Sequence, residues 1–162
     1  MSTKKAVATK EEVEALKYRL KLFQDREREI ESQTERLDYI ETKLKSAGSP
    51  NLSDIPKSPN GPQDRIGSMV AQMIDIKNDI QYMVEKQQEE RHRLEELTAV
   101  LPANEKAVMR MKYIDGASWN EITDMLFGGK DDFLEKEDSY SQRTYAWHRA
   151  ALEKLAALGV NE

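Results

Sequence analysis

Cysteine is missing from this chain, which removes disulfides and thiolate metal sites and leaves the redox compartment unconstrained. Histidine is nearly missing: His92 and His148 are the only two, far apart in sequence, and there is neither a phosphate-binding glycine loop nor an HExxH pair. A protein that is not an enzyme and uses no metal or cofactor is therefore expected. No run of about 18 apolar residues occurs, and the opening MSTKKAVATKEEVEAL has no apolar signal-peptide segment. The chain is expected to be soluble and cytoplasmic, with no membrane partner. Aromatics make up 7% and the hydrophobic class 38% of 162 residues, too little for a thick globular core. Proline is scarce and concentrated, with four of the five prolines in residues 46–63.

What is abundant is charge, at 34%. That composition suits long amphipathic helices, in which a narrow apolar seam suffices. Thr9 with Glu12 reads as a capping box opening the first helix. A 3-4 walk then selects Val13, Leu16, Leu20, Phe23, Glu27, Ile30, Thr34, Leu37, Glu41 and Leu44, a coiled-coil seam, with Tyr18, Tyr39 and Ile40 off it. The helix should stop at Ala47-Gly48-Ser49-Pro50. SAGSPNLSDIPKSPNGPQ follows as a linker or loop that Leu52 and Ile55 can pin; its PxxP-like spacing is more simply a Pro-rich loop than a peptide ligand. A second helix begins near Pro62 and repeats the walk through Ile66, Met69, Met73, Ile76, Ile80, Met83, Gln87, Glu90, Leu94, Leu97 and Leu101. The two helices should fold back as an antiparallel hairpin and pair with another chain. Val70, Ile74 and Val84 widen the stripe toward a bundle of more than two helices.

From Leu101-Pro102 the pattern changes. Glu105 to Ile114 reads as a short helix with Val108, Met111 and Ile114 inward, closed by Asp115-Gly116. Ser118 with Glu121 forms a second capping box, and Trp119, Ile122, Met125 and Leu126 form the inner face behind it. The glycine-hinged acidic stretch FGGKDDFLEKED comes next. Ser139 with Gln142 can cap a last helix to about Leu158, with Thr144, Trp147, Ala151, Leu152 and Leu155 on one side. The expected architecture is all-α: a helical hairpin and oligomerisation region over 1–100, then a helix-turn-helix domain over 101–162.

In a helix-turn-helix the last helix enters the major groove. Its predicted outer face carries Gln142, Arg143, Tyr145, Ala146 and Arg149. Arg can fork onto guanine, Gln onto adenine, and a small Ala admits a thymine methyl. Ser141, Asn120, Lys112 and Lys154 are candidates for phosphate contacts. The net charge of −5 opposes phosphate binding. Residues 141–157, however, carry a local excess of two positive charges, and a dimer would double the contacts. A coiled-coil adaptor would contain the same short capped helices, and that alternative stays open on periodicity alone.

Leu101-Pro102 with Glu105, then VMRMKYIDG at 108–116, SWNEI at 118–122 and ALEKL at 151–155 resemble region 4 of sigma-70-class factors. With a helical first half and a Pro/Ser-rich joint, the chain is similar to the phage late-gene transcriptional activators of the ArpU/RinA-like group. The resemblance covers about residues 101–158 and is architectural over 1–100. It implies double-stranded DNA binding at a phage or prophage promoter, in the bacterial cytoplasm and nucleoid, beside host RNA polymerase. The groove-reading positions it implies are Gln142, Arg143, Ala146 and Arg149. Phe127 to Asp138 departs from that pattern with about ten extra residues, which bears on the docking angle. A small-terminase-like packaging protein is the other DNA-binding reading. It would assemble as a ring, whereas the activator reading favours a dimer.

Overall fold

Thr9 and Glu12 satisfy each other's backbone at the start of the first helix. The Thr9 N–H donates to Glu12 Oε2 at 2.9 Å and the Glu12 N–H to Thr9 Oγ1 at 3.2 Å, the reciprocal cap the sequence predicts. In the computed structural model, which describes residues 7–47 and 62–159, this cap opens α1 (Lys10–Ala47). Helix α2 (Pro62–Thr98) begins on a proline, whose missing N–H costs nothing in a first turn. Then come α3 (Ala103–Met109), a π-helical turn (Arg110–Ile114), α4 (Trp119–Phe127) and α5 (Glu137–Ala157). The described residues contain no strand, and the chain is all-α with a long N-terminal helical pair. Among them no helix is long and apolar enough to cross a membrane. The Pro-rich joint, including Leu52, Ile55 and the PxxP spacing, falls on residues 48–61, outside the described residues.

By packing, the chain divides into two compact units, Arg26–Gln88 on one hand and Met1–Asp25 with Glu89–Glu162 on the other. Within Arg26–Gln88, α1 and α2 run antiparallel: Gln87 Nε2 donates to Glu27 Oε1 at 3.0 Å, and Lys77 Nζ meets Glu41 Oε1 at 3.3 Å. The α2 walk holds, since Ile66, Met69, Met73, Ile76, Ile80, Met83 and Gln87 are all buried or half-buried. On α1 the walk slips. Gln33 is half-buried where Thr34 was expected, and Ile40, expected off the seam, is buried. The steps after Ile30 run 3-4-3-4 instead of the expected 4-3-4-3, so Leu37 and Leu44 stay on the seam while the positions between them shift by one residue. Gln87 puts a buried amide into an otherwise apolar seam, a device that disfavours slipped registers.

The other unit draws one core from four helices. Leu16, Leu20 and Phe23 of α1 and Leu94 of α2 cluster with Leu101, with Met109 of α3, and with Ala151, Leu152, Leu155 and Ala156 of α5. On the edge of this cluster Arg19 Nε and Nη2 grip both carboxylate oxygens of Glu90 at 2.6 and 3.2 Å. Two neutral side chains would not be held so directionally.

This shared core generates a prediction about truncation. Losing one buried Leu or Phe costs about 2–5 kcal/mol, against a total of about 5–15 kcal/mol for a small domain. A fragment 101–162 lacks Leu16, Leu20, Phe23 and Leu94 together, so its thermal melt followed by far-UV circular dichroism should show no cooperative transition. A sigmoidal melt like that of the full chain would mean that the C-terminal helices close a core by themselves.

Candidate nucleic-acid interface

Helix α5 is positioned by what lies on either side of its buried face. Helix α3 contributes Val108 and Met109, both buried. Val108 was expected inward, but Met111 and Ile114 are only half-buried. The cause is the π-helical turn, in which the Asp115 N–H reaches back to the Arg110 carbonyl at 3.0 Å. One extra residue in that turn rotates the side chains after Met109 off the inward line. The turn leaves the Lys112 carbonyl to a side chain: Gln24 Nε2 of α1 donates to it at 2.9 Å. Gly116 then takes φ 72, which an L side chain rarely adopts, and the chain reverses there.

Ser118 and Glu121 form the expected capping box at the start of α4, with the Ser118 N–H donating to Glu121 Oε2 at 2.7 Å and the Glu121 N–H to Ser118 Oγ at 3.2 Å. These bonds from Ser118 hold the Glu121 carboxyl below its ordinary pKa. Ile122 is buried as expected. Met125, expected inward, is 65% exposed, and Thr123 and Phe127 take the inward places. Their partners on α5 explain the rotation. Thr123 Oγ1 donates to Thr144 Oγ1 at 3.2 Å in a fully buried contact, and Phe127 stacks on Tyr140 and Trp147 at 4.7 and 5.3 Å between ring centroids.

The acidic stretch is an ordered connection. Successive turns link Lys130 to Phe127, Phe133 to Lys130 and Lys136 to Asp132, and Phe133 lies on Tyr140 at 6.0 Å. Asp132 Oδ1 accepts from the Tyr140 hydroxyl at 2.6 Å and Oδ2 pairs with Lys136 at 3.2 Å. The first contact most, then the second, holds the Asp132 carboxyl below its usual range. Because these turns already lead into helix, α5 starts at Glu137 without a side-chain cap. The Ser139–Gln142 cap is not used. Glu137 and Asp138 instead place negative charge in the first turn, where the helix dipole favours it.

Helix α5 buries Tyr140, Thr144, Ala151, Leu152, Leu155 and Ala156, and half-buries Trp147. Gln142, Ala146 and Arg149 are exposed and, at i, i+4 and i+7, form one outward stripe. Arg149 makes no ion pair or ring contact among the described residues. Tyr145 is exposed on one flank, with its ring 5.0 Å from Trp119. Arg143 is exposed on the other, its guanidinium 5.2 Å from the Phe127 ring centroid and 5.8 Å from that of Trp147. Such an exposed contact is worth about 0.5–1 kcal/mol. Ser141 is half-buried and Asn120 exposed. Lys154 is committed to Glu105, a nearly buried carboxylate that it holds at 2.8 and 2.9 Å.

The outward stripe forms part of one wall of a cleft of about 580 Å³, lined by Val13 and Lys17 of α1 and by Gln142, Tyr145, Ala146, His148, Arg149 and Leu152 of α5. Trp119 meets the His148 ring edge-on at 4.8 Å, and Lys112 Nζ stands 4.7 Å from the centroid of Trp119. Tyr113 Oη is 2.7 Å from His148 Nε2. Burial pushes the Tyr113 hydroxyl up to about 12. Burial, and then the charges of Lys17 and Lys112, lower His148 to about 4. Both rings are therefore neutral at pH 7 and share one hydrogen bond, whose direction is set by the His148 tautomer. Lys17 was not a sequence candidate. The seam from Val13 to Phe23 indicates only that α1 packs on something, and nothing local indicates α5. Comparison with family models, with curated proteins and with solved structures finds no match to this chain. Among the described residues no three metal-ligating side chains lie together.

The depressed histidine has a definite pH signature. Unfolded chain takes up the proton at about pH 6.5 and folded chain only near pH 4, so this contribution to stability is complete above pH 6.5 and is lost as pH falls from there to 4. Partial exposure screens the effect, leaving on the order of 2 kcal/mol. Denaturant melts should show His148→Phe losing less stability than wild type across that window, and parallel pH profiles would contradict a neutral His148. Separately, Phe133→Ala should lower stability by about 1–3 kcal/mol and speed amide exchange over 128–136. Unchanged exchange there would mean that Phe133 does not order the connection.

Proposed function

We propose that the protein is a sequence-specific, double-stranded DNA-binding transcription regulator that works as a helix-turn-helix, with α5 as the reading helix. The observation that carries this reading is the stripe Gln142, Ala146 and Arg149, exposed on a helix whose opposite face is locked into a core. A reading helix needs that combination, because base edges are discriminated only by side chains held in fixed register. The elements before α5 fit the same logic: a short helix, a glycine reversal and a capped second helix.

Within this reading Arg149 and Gln142 address base edges, and Ala146 lets the helix backbone approach. Arg143 and Tyr145 flank the stripe and border the strands. Ser141 and Asn120 are placed for phosphate, as is Lys112. Lys154 contributes only by exchanging Glu105 for a phosphate. Activation of phage or prophage late genes beside host RNA polymerase, in the bacterial cytoplasm, follows from the sigma region 4-like motifs. Pairing with a second copy is supported by Val70 and Ile74, 36% and 51% exposed on α2.

Selection of bound duplexes from random sequence, followed by salt titration, tests the reading. Wild type should enrich a defined site and lose affinity as salt rises. Arg149→Ala should keep the fold and relax preference at one base position by about 1–3 kcal/mol. No enrichment and no salt-sensitive binding by the wild type would leave a coiled-coil adaptor as the better description.

A further inference from the structure

We propose that α1 belongs to the DNA-binding surface: Lys17, on the cleft wall that faces the α5 stripe, joins Lys112 in holding backbone phosphates while Arg149 on the stripe reads a base edge. This rests on the DNA-binding reading of α5 and assigns a role to a helix which that reading uses only for assembly.

Three elements bring the three cations together. Lys17 and Arg149 line the same cleft, with His148 between them in its lining. Lys112 does not line the cleft but stands near its His148 wall, its ammonium 4.7 Å from the centroid of Trp119, which is itself 4.8 Å from His148. Gln24, bonded to the Lys112 carbonyl, fixes the π-helical turn against α1. Packing thus sets where the backbone carries these residues, while the lysine and arginine side chains themselves stay at the surface. The cleft walls are apolar at Val13, Ala146 and Leu152 and polar at Gln142, Tyr145 and His148. Neutral His148 has its Nε2 occupied by Tyr113 and adds no charge, so lysine and arginine supply the field.

An occupant must be anionic and must touch α1 while leaving Gln142 and Arg149 free to reach base edges. A phosphate of the strand bordering the groove meets both conditions, and contacts that flank a reading helix typically fix register through phosphates. Lys17 currently pairs with Glu14 at 3.3 Å, with both side chains about half exposed. Such a surface pair is readily exchanged for a stronger anion.

The test is a salt titration of the full chain on its selected duplex and on a mixed-sequence duplex, with circular dichroism as the check on folding. Lys17→Gln should flatten the slope of log K against log salt by about 0.9, as expected for one lost phosphate contact. The loss should be equal on both duplexes. Lys45→Gln, an equal change of charge at the far end of α1, should leave the slope alone, and Glu14→Gln should tighten binding to both duplexes. If wild type binds DNA but Lys17→Gln keeps its slope, or Lys45→Gln flattens it equally, the α1 proposal fails and the α5 reading stands. A Lys17→Gln effect confined to the selected duplex would also overturn it, by making Lys17 a base reader. Wild type without salt-sensitive binding would overturn both.

Discussion

Helix α5 rests on side chains that lie more than a hundred residues away in the chain. Leu16, Leu20 and Phe23 occupy one cluster with Ala151, Leu152, Leu155 and Ala156, so α1 forms part of the support behind the outward stripe. A helix with one face in water has few contacts to define its rotation, and each inward residue it loses lets it roll. The Arg19–Glu90 grip adds a directional constraint at the edge of that cluster, tying α1 to α2 where both join it. The exposure of Gln142, Ala146 and Arg149 is the complement of this packing. They face outward because Thr144 and Trp147, which lie between them, are held by α4, and Ala151, Leu152, Leu155 and Ala156 by the shared core.

The connection between α4 and α5 depends on a second set of contacts, an aromatic tier of Phe127, Phe133, Tyr140 and Trp147 with Arg143 across it. Its effect is to turn an acidic, glycine-containing segment into ordered turns. Gly128 has a specific part in this, since a Cβ there would run into the Asp124 carbonyl oxygen, a backbone atom that cannot move aside cheaply. Leu134, 85% exposed, takes no part in the tier. Arg143 is thereby drawn to the flank opposite Tyr145. On the proposed reading it borders the groove while Arg149 enters it, a division of labour that the helical wheel alone does not specify.

Local signals were legible in the sequence and long-range ones were not. Thr9 with Glu12 and Ser118 with Glu121 were readable because a capping box needs two residues three apart and nothing else. The Gly116 reversal was readable for the same reason. The α2 seam was readable because its apolar positions repeat without interruption, whereas on α1 the exposed Thr34 and buried Ile40 show where a regular walk loses phase. The π-helical turn left no trace, since the α1 side chain that takes up its Lys112 carbonyl, Gln24, lies far away along the chain. Ser139 looked like a cap because a strong cap residue preceded a periodic run, but the Asp132–Tyr140 contact had already started the helix upstream. Lys17 was invisible as a site residue on any local criterion.

The charge balance constrains how such a surface can work. With a net charge of −5 the chain as a whole repels a polyanion, so attraction must come from the short-range field of the cleft. That field falls off over about 8–10 Å at physiological salt. Long-range steering is then weak, and affinity must come from contacts made after docking. On the proposed reading, two phosphate contacts per copy, from Lys17 and Lys112, give a salt slope of only about −1.8, typical of a weak binder. A second copy would roughly double that slope, and two reading helices on one duplex convert the second contact into an intramolecular event. On the proposed reading, a reader this poor in cations gains most from a partner copy, and the two long helices are more than support for α5 alone requires.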